Sequence, residues 1–68
     1  MQQEHEHNIQ PLLLTVPQAA RSLGISRAKL YLLLAQQQGP PVIRFGRSVR
    51  ISVDSLQKWI KEQENVSL

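Results

Sequence analysis

The chain has 68 residues, enough for one small domain, and a formal net charge of +3 at pH 7. A chain this short buries only about 60% of the surface that it exposes when unfolded, so we expect a low stability. The absence of cysteine excludes disulfide bridges and thiolate metal sites, and no apolar run reaches the roughly 18 residues of a membrane span. The polar, acidic N-terminus is unlike a signal peptide, which makes the cytoplasm the expected location.

Residues 1–11 predict a disordered leader, because they are polar and show no helical or strand periodicity. The run Glu4-His5-Glu6-His7 contains residue types that bind metals. Two histidines in a segment predicted to be disordered are weak evidence for a metal site, so we expect neither a metal nor a cofactor.

The first helix is predicted from its ends. Thr15 and Gln18 have the spacing of a capping box, Pro17 falls in the first turn, and Gly24 ends the helix. The core side of this helix is a narrow apolar stripe made of Val16, Ala19, Ala20 and Leu23.

A second helix is predicted from Arg27 to about Gln37, with Ser26 as its N-cap. Its inner side would hold Leu30, Leu33, Leu34 and Gln37, and its outer side Arg27, Ala28, Tyr31, Leu32 and Gln36. Two short helices joined by Gly24-Ile25-Ser26 are typical of a helix-turn-helix, whose second helix enters the major groove of DNA by its N-terminus. Arg27 and Lys29 oppose the helix dipole there, which suits an anion site.

Residues 36–41 form a connector in which Gly39 is expected to take a left-handed conformation and the two prolines stiffen the chain. The alternation in residues 42–51 then predicts a hairpin with the three-residue loop Gly46-Arg47-Ser48. In this register, Arg44 lies directly across from Arg50, and one face holds Ile43, Phe45, Val49 and Ile51. Like charges in such a pair are destabilising, which favours a polyanion that neutralises them.

A third helix is predicted from Val53 to about Gln63, capped by Ser52 and followed by a frayed tail over residues 64–68. Trp59 is expected to be the largest core residue, because packing is a more common role than base stacking for a tryptophan in such a stripe. The stripe consists of Val53, Leu56, Trp59 and Ile60.

The charges are concentrated in the predicted domain, residues 12–63. Between Leu12 and Lys61 lie all eight cationic residues but only one acid, Asp54, which gives this segment a net charge of +7. Such an excess predicts salt-dependent association with an anionic surface, and nucleic acid is the first candidate.

The ordered set of motifs resembles the excisionase-like, MerR-type winged helix-turn-helix domains. The resemblance runs from Leu13 to about Lys61 and rests on residues 14–20, 23–27, 30–31 and 39–51, followed by Leu56 and Trp59-Ile60. It implies a small α+β fold with two N-terminal helices, a two-stranded antiparallel wing and a C-terminal helix. The second helix would lie in the major groove, and the wing with Arg47 would grip phosphate or the minor groove.

The resemblance also implies a role. Short members of the family are excisionases (recombination directionality factors), which bend attachment-site DNA and bias a tyrosine integrase towards excision, or small regulators of transcription in mobile elements. Cooperative self-association on DNA is a further expectation. Leu32 and Ala35 depart from the family, whose members often have basic residues there. Three roles are then open to Leu32, which are contact with a thymine methyl, contact with a neighbouring copy, or cover for the wing, and cover for the wing is the role we expect.

We therefore predict sequence-selective binding of double-stranded DNA without catalysis and without a small-molecule ligand. The alternative is a basic protein-interaction module that docks an acidic partner. An enzyme is disfavoured because the basic segment has no histidine or cysteine and a single carboxylate. The predicted DNA-binding residues are Arg21, Ser26, Arg27, Ala28, Lys29, Tyr31, Arg44, Arg47, Ser48 and Arg50.

Overall fold

The computed structural model describes residues 11–66 and has the predicted small α+β fold. Within this range, three helices pack with a three-stranded antiparallel sheet in the order β1-β3-β2. The elements along the chain are β1 (Leu13–Leu14), α1 (Val16–Leu23), α2 (Arg27–Ala35), β2 (Ile43–Phe45), β3 (Ser48–Ser52) and α3 (Val53–Val66). The predicted leader and its histidines lie outside the described residues, except for Pro11.

The predicted caps of α1 are confirmed. Gln18 N donates to Thr15 Oγ1 over 3.2 Å and Thr15 N donates to Gln18 Oε1 over 2.9 Å, which completes the capping box. Gly24 has a φ of 74°, and the N–H groups of Gly24 and Ile25 donate to Arg21 O and Ala20 O. This pair of bonds is a Schellman motif, and it ends α1 where the sequence predicted.

The connector after α2 differs from the prediction, because the left-handed residue is Gln37, with a φ of 59°, and not Gly39. The N–H groups of Gln37 and Gln38 donate to Leu34 O and Leu33 O, so a second Schellman motif ends the helix at Ala35, two residues before the predicted end. Gly39 serves a close approach instead, since a Cβ there would lie 3.0 Å from Leu34 Cδ2.

Gln37→Gly is expected to stabilise the domain by about 1 kcal/mol, because a left-handed conformation is strained for a residue with a Cβ. In a domain of this size the melting temperature should rise by about 4–8 °C. The matched control is Gln36→Gly at the neighbouring residue, whose φ of −89° suits any side chain, so this variant should lose stability. Thermal unfolding of both variants by circular dichroism tests the assignment, which is wrong if Gln37→Gly melts at or below the wild-type temperature.

The sheet contains one strand that the sequence analysis did not predict. β1 pairs with β3 through Leu13↔Ser52 and Leu14↔Ile51, and Val53 N donates to Leu12 O over 2.9 Å next to this ladder. The segment before α1 is thereby tied to the end of the hairpin. Its two-residue length explains why alternation could not reveal it.

The hairpin register corrects the prediction. β2 pairs with β3 through Ile43↔Arg50, Arg44↔Val49 and Phe45↔Ser48, so the loop has two residues, Gly46 and Arg47. Gly46 has a φ of 59° and Arg47 has no positive φ, which is the pattern of a type II′ turn with glycine in its first position. The predicted three-residue loop and the pairing of Arg44 with Arg50 are therefore wrong.

In the corrected register, each side chain of β2 shares a face with different residues of β3 from those predicted. Directly opposite residues share a face, so Arg44 lies on the inner face with Val49, while Ile43 and Phe45 lie on the outer face with Arg50. Ile43 and Phe45 are accordingly exposed by 40% and 55%, whereas Ile51 on β3 is fully buried.

The core lies between α1, α2, β3 and α3. Its fully or almost fully buried residues are Val16, Ala19, Ala20, Leu30, Ile51 and Leu56. Trp59 is only half-buried and packs against the edge of this cluster, which corrects the prediction that it would be the largest core residue. Its Nε1 donates to Gln38 O over 3.3 Å and so joins α3 to the connector.

α3 starts as predicted and ends later. Ser55 N donates to Ser52 Oγ over 2.9 Å, which confirms the N-cap, and Asp54 lies in the first turn, where the helix dipole favours an acid. The helix continues to Val66, so residues 64–66 of the predicted tail are helical.

Candidate nucleic-acid interface

The exposed side of α2 consists of the residues that do not pack against the core. Leu30 is fully buried and Leu33 and Leu34 are half-buried, and these three residues hold the helix on the core. The opposite side is exposed and holds Ala28, Tyr31, Leu32 and Ala35. The helix contains no acidic residue, so the surface is apolar in its middle and cationic at its N-terminal end.

The N-terminus of α2 combines a capped turn with two exposed cations. Lys29 N donates to Ser26 Oγ over 3.0 Å, so the predicted cap is confirmed and the hydroxyl of Ser26 is engaged as an acceptor. The N–H groups of Arg27 and Ala28 remain without a backbone acceptor in residues 11–66 and point out of the helix end. Together with the two exposed side chains, Arg27 and Lys29, they can bind a phosphate oxygen.

A groove separates α2 from the inner face of the wing. Tyr31, Leu34 and Ala35 line it from the helix, and Arg44 and Val49 line it from the hairpin. Gly39 to Val42 form its floor as the chain crosses from one element to the other. The groove therefore brings Arg44 and Tyr31, which are 13 residues apart in the sequence, to one concave surface.

The wing itself holds three predicted residues in different settings. Arg47 lies at the tip of the turn and is exposed, and Ser48 is exposed across the ladder from Phe45. Arg50 is half-buried on the outer face, and its Nη1 donates to Val49 O over 2.9 Å. Arg47 is thus free to meet a duplex, whereas the guanidinium of Arg50 is partly held by the protein and faces away from the groove.

The remaining cations are dispersed. Arg21 is exposed in the last turn of α1, where it complements the helix dipole. Lys58 Nζ lies 3.3 Å from Asp54 Oδ2 in an exposed i,i+4 pair, the single ion pair between Pro11 and Val66. The cations of α2 and the wing therefore form no ion pair in this part of the chain, although Glu64 of α3 lines the same groove as Lys29, and the surface keeps an excess of positive charge.

The structure thus brings together part of the predicted site. Arg27, Ala28, Lys29 and Tyr31 share the exposed end of α2, and Arg44 faces Tyr31 across the groove. Arg50 does not join them. The outer apolar pair of the wing, Ile43 and Phe45, was not predicted, because the expected register placed both residues on the buried face.

Comparison with known protein families supports the assignment of a helix-turn-helix. A model described as a helix-turn-helix domain matches residues 13–64, most of the chain. The chain belongs to this helix-turn-helix family. Helix-turn-helix domains bind DNA, and the two helices with the adjacent hairpin make this one a winged helix-turn-helix. No curated protein matches the chain.

Two other features are absent from the described part of the helix-turn-helix domain, a membrane-spanning helix and a group of side chains suited to a metal ion. No helix in residues 11–66 is long and apolar enough to cross a membrane. Over the same residues, no group of three histidine, cysteine or carboxylate side chains is placed to hold a metal ion.

Proposed function

We propose that this helix-turn-helix protein is an excisionase: it binds double-stranded attachment-site DNA selectively, bends it, and biases a tyrosine integrase towards excision. The observation that supports the binding mode is the groove in which Arg44 of the wing faces Tyr31 of α2. A duplex that receives the N-terminus of α2 in its major groove would present the flanking backbone to the wing.

The division of contacts follows from the position of each side chain. Arg27 and Lys29 at the start of α2 would reach base edges or the nearest phosphates, with Tyr31 beside them. Arg44 in the groove and Arg47 at the tip of the wing would bind the backbone, supported by Ser48 and, at the flank, Arg21. Arg50 would contribute mainly through its charge, because its guanidinium already donates to Val49 O.

Because a single domain makes few base contacts, bending of the DNA would be needed for adequate sequence discrimination. One short helix reads only a few base pairs, so a single domain should be modestly specific. Binding of several copies at adjacent sites, and the deformability of the DNA between them, would supply the remaining discrimination. An excisionase needs this combination, since it must shape DNA as well as occupy it.

Binding should depend strongly on salt. Neutralisation of about 4–6 phosphates predicts a log–log slope of about −4 to −5, so affinity for a duplex should fall about 250- to 1,000-fold between roughly 50 and 200 mM salt. A mobility-shift titration on random-sequence duplex at several salt concentrations measures the slope. Arg44→Ala is the matched test of the groove, and its slope should be less steep by about one. No shift at micromolar protein in low salt would instead favour a module that docks an acidic protein.

The excisionase role is tested by recombination. The protein, a tyrosine integrase and a plasmid with the two attachment sites of that integrase are combined, and the excised circle is quantified with and without the protein. We expect excision to rise when the protein is present, and a circular-permutation mobility shift to show a bend. Unchanged excision with repression of a neighbouring promoter would instead identify a small transcriptional regulator, which would use the same DNA-binding surface.

A further inference from the structure

The middle of the exposed side of α2 is apolar, although the proposed function places this side of the helix against DNA. Leu32 is exposed by 50% and Tyr31 by 52%, and Ala28 and Ala35 lie next to Leu32 at i−4 and i+3. An exposed leucine in this position makes no contribution to the core, which Leu30 fills from the other side of the helix.

The wing does not cover Leu32. The groove between α2 and the hairpin is lined by Tyr31, Leu34 and Ala35, and the groove on the other side of α2 by Lys29 and Leu33. Leu32 lies on the ridge between the two grooves and lines neither of them. Half of the Leu32 side chain is exposed and it lines neither groove, so the structure does not support a role as cover for the wing, and a ligand or a neighbouring copy is the role to be tested.

The surrounding charges favour DNA over a second copy. Arg27 and Lys29 are exposed on the same helix, Arg44 is exposed across the groove, and α2 contains no acid. Two copies that met through this side would bring their own cations together, which is repulsive. A polyanion would neutralise the same charges while the apolar ridge enters its groove.

The chemistry of the major groove then indicates which chemical group Leu32 would contact. Each base pair presents hydrogen-bond donors and acceptors there, and thymine alone adds an apolar group, its 5-methyl. Leu32 has no hydrogen-bonding atom in its side chain, so it can favour a thymine over the other bases only by apolar contact. A basic residue at this position would bind phosphate or guanine instead.

We propose that Leu32 is a specificity-determining residue that contacts the 5-methyl group of a thymine in the major groove. This assignment rests on the proposed binding of double-stranded DNA through α2, and it specifies the base that the centre of the helix recognises. Target sites would contain a thymine at a fixed distance from the base pairs that Arg27 contacts. Burial of one methyl group is worth about a fourfold gain in affinity.

The test removes the methyl group and the leucine separately. A site is first selected from random-sequence duplex, and deoxyuridine then replaces each thymine in turn, which deletes only the 5-methyl group. Wild-type protein should lose about fourfold in affinity at one or two positions. Leu32→Ala should bind the thymine and deoxyuridine duplexes equally at those positions, and alanine preserves the helix. Leu12→Ala, which shortens an 80% exposed leucine outside α2, should keep the wild-type sensitivity.

Two results would overturn the assignment. One is equal binding of thymine and deoxyuridine duplexes by the wild type at every position, and the other is full sensitivity in Leu32→Ala. If Leu32→Ala keeps full sensitivity and also loses cooperativity between adjacent sites, Leu32 is assigned to a neighbouring copy. Failure to bind any duplex in low salt would contradict the proposed function itself, and is distinguished by the selection step, which would then yield no site.

Discussion

Leu30→Ala is expected to unfold most of the protein. Leu30 is fully buried at the centre of the cluster formed by α1, β3 and α3, and truncation of such a leucine costs about 2–5 kcal/mol. A domain below about 70–80 residues rarely has more than 3–5 kcal/mol in total, so the loss is comparable to its whole stability. DNA binding should disappear with the fold.

Urea unfolding followed by tryptophan fluorescence measures this effect, because Trp59 is the single tryptophan and packs against the same core. The matched control is Leu32→Ala, the same change two residues along the same helix at an exposed position. Its stability should change by no more than about 0.5 kcal/mol. Similar unfolding midpoints for Leu30→Ala and the wild type would show that Leu30 is not the centre of the core.

Arg27→Ala and Arg47→Ala are expected to weaken DNA binding in different ways. Arg27 lies at the N-terminal turn of α2, so its loss should cost about 1–3 kcal/mol on the preferred sequence and relax sequence preference. Arg47 lies at the tip of the wing, so its loss should weaken binding to all sequences alike and make the salt slope less steep by about one.

Affinities for the selected site and for a random duplex, measured for both variants across a salt series, separate these effects. Lys61→Ala is the control for net charge, since it removes the same single charge from an exposed position on α3. It should change affinity less than either arginine variant. Equal, sequence-independent losses from Arg27→Ala and Arg47→Ala would contradict the assignment of base contacts to α2 and backbone contacts to the wing.

The starts of the three helices and the end of α1 were predictable because contacts between residues close in the sequence determine them. Thr15, Ser26 and Ser52 each accept from a backbone N–H three residues on, and Gly24 adopts the left-handed conformation that glycine favours. These interactions need no distant partner, so spacing along the chain is sufficient to place them. The end of α2 was less predictable, because Gln37 takes a left-handed conformation that side chains other than glycine and asparagine rarely adopt.

The hairpin shows where prediction from the sequence failed. Ile43 and Phe45 alternate with polar residues, which is typical of a strand with one buried face, yet both side chains lie outside. The alternation specifies that they share a face but not which face. A loop shorter by one residue shifts the register and moves both side chains from the buried face to the exposed face. Gly46 in the first position of a two-residue loop was the available signal for the type II′ turn.

The sequence by itself therefore determined the presence of the three helices, their N-caps, the C-cap of α1, the presence of a hairpin and a cationic domain suited to DNA, because each depends on composition or on contacts within a few residues. Only the tertiary structure decided the register of the hairpin, the pairing of β1 with β3 and the position of Arg44 opposite Tyr31. These features depend on which surfaces pack together across long separations in the chain. Because β3 packs on the core through the buried Ile51, the face of the wing that carries Ile51 is its inner face. Arg44 lies on this inner face and is directed towards α2, whereas Arg50 lies on the outer face and is directed away from it.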